Sequence, residues 1–180
     1  MRKTAFIKIA TLTVAGVLSQ GALAADGTVK FTGEITDAIC SVSPASQNLV
    51  VPLGKVSRTV LHGAPGKGSV PAKFSIDLSN CPAGSKKAKV TFSGQGNSDN
   101  KDVLAIANAG VVGPTVAATG VGIEIGDSAG SPIALGSPSS EYILGEGDNS
   151  LKFQARYLST TNAVTVGPAD STAQFTIAYN

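Results

Sequence analysis

Residues Gly126-Asp127-Ser128-Ala129-Gly130 spell G-x-S-x-G. In a hydrolase that spacing sets a serine on a sharp strand-to-helix turn, with its hydroxyl raised toward a substrate carbonyl. The serine then needs a base, and the chain has one histidine, His62, with several aspartates to complete the set. The surroundings of the motif do not suit that chemistry. Ser131-Pro132 leads into a second strand rather than a helix, and Gly, Ser and Asp are turn formers. A hairpin turn is the reading, and a serine hydrolase using Ser128 is the alternative. His62 lies beside Gly63 in a turn-rich loop, residues 62–68, with no visible partner, and reads as a solvated loop residue. Acidic clusters at 99–102 and 146–149 lack the ligand spacing of a calcium loop. Two cysteines and one distant histidine do not make a zinc set. No catalytic, cofactor or metal site is expected.

The cysteines, Cys40 and Cys81, have a different use. Residues 1–24 read as a secretory signal: a basic start at Arg2, Lys3 and Lys8, a short apolar middle, and Ala22-Leu23-Ala24 as a small-x-small cleavage site. An exported chain meets oxidising conditions. Two cysteines have one intramolecular pairing, closing a loop of about forty residues worth about 4 kcal/mol on the chain-entropy estimate. Free or intermolecular thiols are the alternative. The leader takes 3 of the 14 basic residues and none of the 12 acidic ones, so 11 minus 12 leaves the mature chain at −1. Nothing in that balance points to nucleic acid or an anionic membrane.

The elements that must carry these residues are strands. Residues 28–42, TVKFTGEITDAICSV, put Val29, Phe31, Gly33 and Ile35 on alternate positions, the period of a strand with one face to bury. Gly33 interrupts that face, as happens where another backbone or a bulky group comes very close. The run is long against a usual strand of about five or six residues, so its two ends can serve two places. Alternation recurs through Phe74, Ile76 and Leu78; through Ala88, Val90 and Phe92; and through Val121, Ile123 and Ile125, with 133–135 as the hairpin return. Leu151, Phe153, Ala155 and Tyr157 alternate too, as do Phe175, Ile177 and Tyr179. Residues 49–53 and 55–61 read as strands, or as a strand and a loop. Residues 93–102 read as a polar loop, 141–144 as a short edge strand and 145–150 as a turn. No stretch of the mature chain holds a helical period. The expected class is an all-β sandwich or barrel, and a sulfur bridge between layers favours the sandwich. Its C-terminal end does not fit a closed sandwich. The last strand has nothing after it to cover its edge, and 174–180 carries no charge and no proline to blunt it.

Taken together these pieces resemble the pilin subunits of chaperone–usher fimbriae, most closely the major shaft subunit of type 1-like fimbriae. The likeness rests on Phe31-x-Gly33-x-Ile35 leading to Asp37-Ala38-x-Cys40; Val51-x-Leu53-Gly54-x-Val56; Phe74-x-Ile76-x-Leu78 leading to Cys81; Val121-Gly122-Ile123; Leu151-x-Phe153-Gln154-Ala155-Arg156-Tyr157; Gly167; and Phe175-x-Ile177-x-Tyr179. It implies an incomplete immunoglobulin-like sandwich lacking its last strand, completed by a donor strand from a neighbour. It implies residues 1–24 as signal peptide, 25–36 as N-terminal donor extension and 37–180 as pilin domain. Val29, Phe31 and Ile35 become donor knobs, and Gly33 the small residue that passes a narrow point. Gly167, Phe175, Ile177, Tyr179 and Asn180 become acceptor groove and chaperone contact, with the Asn180 carboxylate in the chaperone's basic cleft. The implied partners are identical or related pilin subunits, a periplasmic chaperone and an outer-membrane usher, and the implied location is an extracellular fimbrium.

A minor adaptor pilin of the same system is the nearer alternative, which abundance in a purified fibre would separate. A tip adhesin needs a lectin domain for which one domain leaves no room. The hydrolase alternative has a direct test: a fluorophosphonate probe is expected to leave Ser128 unlabelled, and labelling there would restore the enzyme reading.

Overall fold

Strand-forming residues dominate because short alternating runs are punctuated by Gly, Pro, Asn and Asp. The computed structural model describes residues 30–32, 40–84, 86–107 and 116–180. The chain divides into two units, Met1–Ile35 and Thr36–Asn180, and the sandwich is built by the second. Its elements are β1 (Ser41–Val42), α1 (Pro44–Gln47), α2 (Arg58–Leu61), β2 (Ala72–Cys81), β3 (Lys87–Gly94), β4 (Leu104–Ala105), β5 (Val121–Asp127), β6 (Pro132–Ile133), β7 (Tyr142–Ile143), β8 (Gly147–Ser159) and β9 (Ala173–Tyr179). Among the described residues one sheet runs β1-β2-β8-β5-β4 with β6 on β5, and the other runs β7-β3-β9. Every named pairing is antiparallel. No helix among the described residues is long and apolar enough to cross a membrane.

The two sheets face each other across one core. Ile76 and Leu78 of β2 and Leu151 and Phe153 of β8 are buried on one side, and Ala88, Val90 and Phe92 of β3 on the other. Phe153 is its centre. It is stacked on Phe74, its register partner in β2, at 5.6 Å between centroids. It meets Phe92 edge-on at 5.1 Å and Tyr142 at 5.3 Å, both from the opposite sheet. Edge-to-face and offset pairs of this kind add to the area they bury.

Several details differ from the sequence reading. The Cys40–Cys81 disulfide forms, but within one sheet and not between layers. β1 lies antiparallel to β2 with Ser41 opposite Ser79, which brings Cys40 beside the end of β2. A register shift between Leu78 and Cys81, with Asn80 at φ 54°, supplies the local turn; asparagine tolerates that conformation better than most residues. Residues 147–150 belong to β8, not to a turn. Ladder bonds to β2 hold them, and Ser150 Oγ donates to Asp77 Oδ1 at 2.6 Å. Residues 93–94 likewise extend β3. Residues 49–57 carry no ladder, and 58–61 form one helical turn, as do 44–47. Four residues are too few to display a helical period, so neither turn shows in the pattern.

Phe153→Ala is expected to destabilise the fold by about 3–5 kcal/mol. Denaturant unfolding of wild type and variant would measure it, and a cost below about 1 kcal/mol would contradict this packing centre.

Candidate functional site

The C-terminal strand has a partner on one side only. Among the described residues, β9 pairs with β3 from Ala88↔Tyr179 to Gly94↔Ala173 and with nothing on its other edge. Asn180 prolongs the ladder through reciprocal backbone bonds with Lys87. Alternation puts Phe175, Ile177 and Tyr179 on the core side, but each is only half-buried. Their register partners Phe92 and Val90 are buried at 4% and 0% exposure. The difference is positional: β3 is covered by neighbours on both edges, β9 on one.

Beside that bare edge runs a groove. Its first part is a cavity of about 580 Å³, floored by Phe74, Ile76, Phe92 and Ile125 from both sheets. Its walls are residues 49–54 on one side and 169–175 on the other. The second part, about 380 Å³, continues past the shared residues Gly54, Tyr157, Ala169 and Asp170. Val56, Arg58 and Leu61 wall it on one side and 164–170 on the other. The near wall is extended chain, with Val51, Leu53 and Val56 half-buried and Val50 and Lys55 exposed. Its backbone groups from 49 to 56 make no backbone hydrogen bond with other described residues. The bare edge of β9 and the unpaired backbone of 49–56 therefore flank an apolar floor. One further strand is what such a slot can take up.

The far wall is held by specific bonds. Tyr157 Oη, from β8, crosses to donate to the Ala169 carbonyl at 3.1 Å. His62 Nδ1 accepts from Val164 N–H at 3.2 Å, so this exposed loop histidine fastens a backbone group of the wall. Gly167 lies in the wall with the 116–118 backbone pressed against it; a Cβ there would collide with the Val116 carbonyl oxygen and Ala118 N. Tyr179 Oη donates to the Cys40 carbonyl at 3.3 Å, tying the last strand to the disulfide.

Of the expected site residues, Phe175 lines the first part of the groove and Gly167 the second, while Ile177 and Tyr179 lie further along β9 and Asn180 follows it. Val29, Gly33 and Ile35 lie outside the described residues. Phe31 is described and is 91% exposed. Sequence reasoning misses the wall at 49–54 as part of the site, although the spacing Val51-x-Leu53-Gly54-x-Val56 marks it. Ser128 sits in a turn: Asp127 Oδ1 accepts from Ala129 N–H and Ser131 N–H, both at 2.9 Å, and β6 comes directly after.

Burial raises the phenols of Tyr157 and Tyr179, with the Asp170 charge adding to the first. Burial, then Asp127, pushes Tyr142 up to about 12. Each phenol donates its proton to a carbonyl, Tyr142 to that of Lys152. A raised folded pKa means stability that is complete below the ordinary tyrosine value near 10 and is lost as pH rises through the folded one. Stability is thus expected to hold up to about pH 10 and to fall from there toward about 12. Absorbance titration of the phenolates alongside unfolding would check this; flat stability across that window would contradict it.

Known proteins resemble this chain along nearly its whole length. The family model described as "Fimbrial protein" matches residues 29–180. A type-1 fimbrial protein subunit of Serratia marcescens is 39% identical, the match covering 98% of this chain and 99% of that protein. A probable major fimbrial subunit of Escherichia coli O157:H7 is 38% identical over 99% and 97%. The crystal structure of the P pilus rod subunit superposes with a TM-score of 0.64 at 26% identity, covering 79% of this chain and all of that one. A match along nearly the whole chain, on a two-sheet sandwich, places this chain in the fimbrial protein family.

Proposed function

We propose that this chain is a structural shaft subunit of an adhesive surface fimbria, polymerising head-to-tail by donor-strand exchange. The observation that carries the proposal is the slot beside β9, whose apolar floor lies between the bare edge of β9 and the unpaired backbone of 49–56. Strand addition by a pilin donor is a known mode of such recognition. The donor is the N-terminal extension 25–36 of the next subunit, with Val29, Phe31 and Ile35 as its knobs and Gly33 at the tight point. Residues 1–24 are the leader, removed on export. Before assembly a periplasmic chaperone occupies the groove, contacting Phe175, Ile177, Tyr179 and the Asn180 carboxylate, and an outer-membrane usher passes the subunit to the cell surface.

Energetics favour a long-lived joint. Each large donor side chain buried contributes about 1.5–3 kcal/mol. Each new main-chain hydrogen bond adds about 1 kcal/mol net. Ordering the tail offsets part of this. Donor and acceptor are different surfaces of one molecule, so the contact does not close on itself and builds a filament. The role is structural, not enzymatic.

Gly33→Asn is expected to abolish fibres while the subunit still accumulates with its chaperone. Wild-type fibres should run as a ladder on a denaturing gel and collapse to monomer only on harsh heating. Normal fibres from the variant, or a wild-type ladder that dissolves without heat, would refute the donor assignment.

A further inference from the structure

The two parts of the groove differ in charge. The first part is lined by a single ionisable acid, Asp170, and no cation. The second part shares Asp170 and adds Lys55 and Arg58 at its rim. Both cations are exposed. Neither forms an ion pair with another described residue. Lys87 and Lys89 are committed to Glu141, Arg156 to Glu124, and Lys67 to the His62 carbonyl; of the basic residues without an ion pair among the described residues, Lys55 and Arg58 are the ones that line the groove. One end of the groove thus offers two unspent positive charges against one acid.

The tail has the matching pattern. Glu34 and Asp37 flank Ile35 at its body-side end, while Lys30 precedes Phe31. We propose that Lys55 and Arg58 form a cationic clamp for Glu34 in a second copy's tail and for Asp37 just after it. This rests on the donor-strand reading and adds to it the residues that set direction and partner choice. In an extended strand, Ile35 facing the floor turns Glu34 outward to the rim, where long basic side chains reach it. Asp37, two residues on, meets the mouth of the same cavity. Gly33, Phe31 and Val29 then run along β9 toward Tyr179, two residues apart like Phe175, Ile177 and Tyr179 themselves. That direction is antiparallel to β9, as is every pairing in the fold. The opposite direction would bring Lys30 toward Lys55 and Arg58, and like charges across an interface select against that arrangement.

The test is uptake of two synthetic peptides, residues 25–39 as they stand and the same with Glu34→Lys and Asp37→Lys. Each is offered to the full-length subunit purified with its chaperone. At low salt the unaltered peptide should enter about tenfold faster, a modest steering effect. The gap should close toward 1 M salt, where the screening length is about 3 Å. A K55E/R58E subunit should invert the preference, a comparison internal to one folded variant. Equal low-salt rates on the wild-type subunit, or a preference that K55E/R58E leaves unchanged, would overturn the clamp and leave the groove reading standing. Entry of neither peptide would overturn both.

Discussion

A strand edge is a row of N–H and C=O groups that something must satisfy. When the strand also carries an apolar face, water is a poor answer, because it satisfies the backbone only by wetting the floor. β9 is in that position, and the near wall at 49–56 meets it with a second unpaired backbone. Nearly every functional feature stems from that one deficit. Phe175, Ile177 and Tyr179 stay half-buried because their cover is not part of the sandwich. Association is favoured by the same main-chain bonds and apolar burial that hold the other strands together.

A slot of this kind is useful only if its walls keep their spacing while empty. The cluster around Phe153 joins both sheets. Tyr157 fastens the far wall at Ala169, and His62 fastens it at Val164. Gly167 lets the 116–118 backbone lie against that wall. Tyr179 joins the last strand to Cys40, whose disulfide anchors β1 to the end of β2. Rigid walls with an unsatisfied edge favour uptake of a strand over collapse of the groove, since a packed interior deforms little. Lys55 and Arg58, on the rim, add selectivity without disturbing that interior.

Much of this is legible in the order of residues alone. Strict alternation through 74–78, 88–92, 121–125, 151–157 and 175–179 names five strands and the face each buries, since a period of two leaves no other assignment. The uncharged, proline-free end flags an edge needing a cover. Two cysteines in an exported chain set the disulfide partner. The 126–130 turn is separable from a nucleophile elbow because Ser131-Pro132 opens a strand where the elbow needs a helix.

Other features depend on contacts between residues far apart in sequence, to which local periodicity is blind. The disulfide lies within a sheet because β1 happens to pair beside β2, a matter of register and not of spacing. The wall at 49–56 looks like a strand locally, yet it makes no ladder with another described residue, because what lies beside it is the groove. The polar residues 147–150 read as a turn until β2 supplies their partners. His62 finds Val164 across 102 residues. Alternation along the chain thus decided which residues face a core, while only the folded arrangement decided which edges are satisfied, because pairing is a property of neighbours that the order of residues does not record.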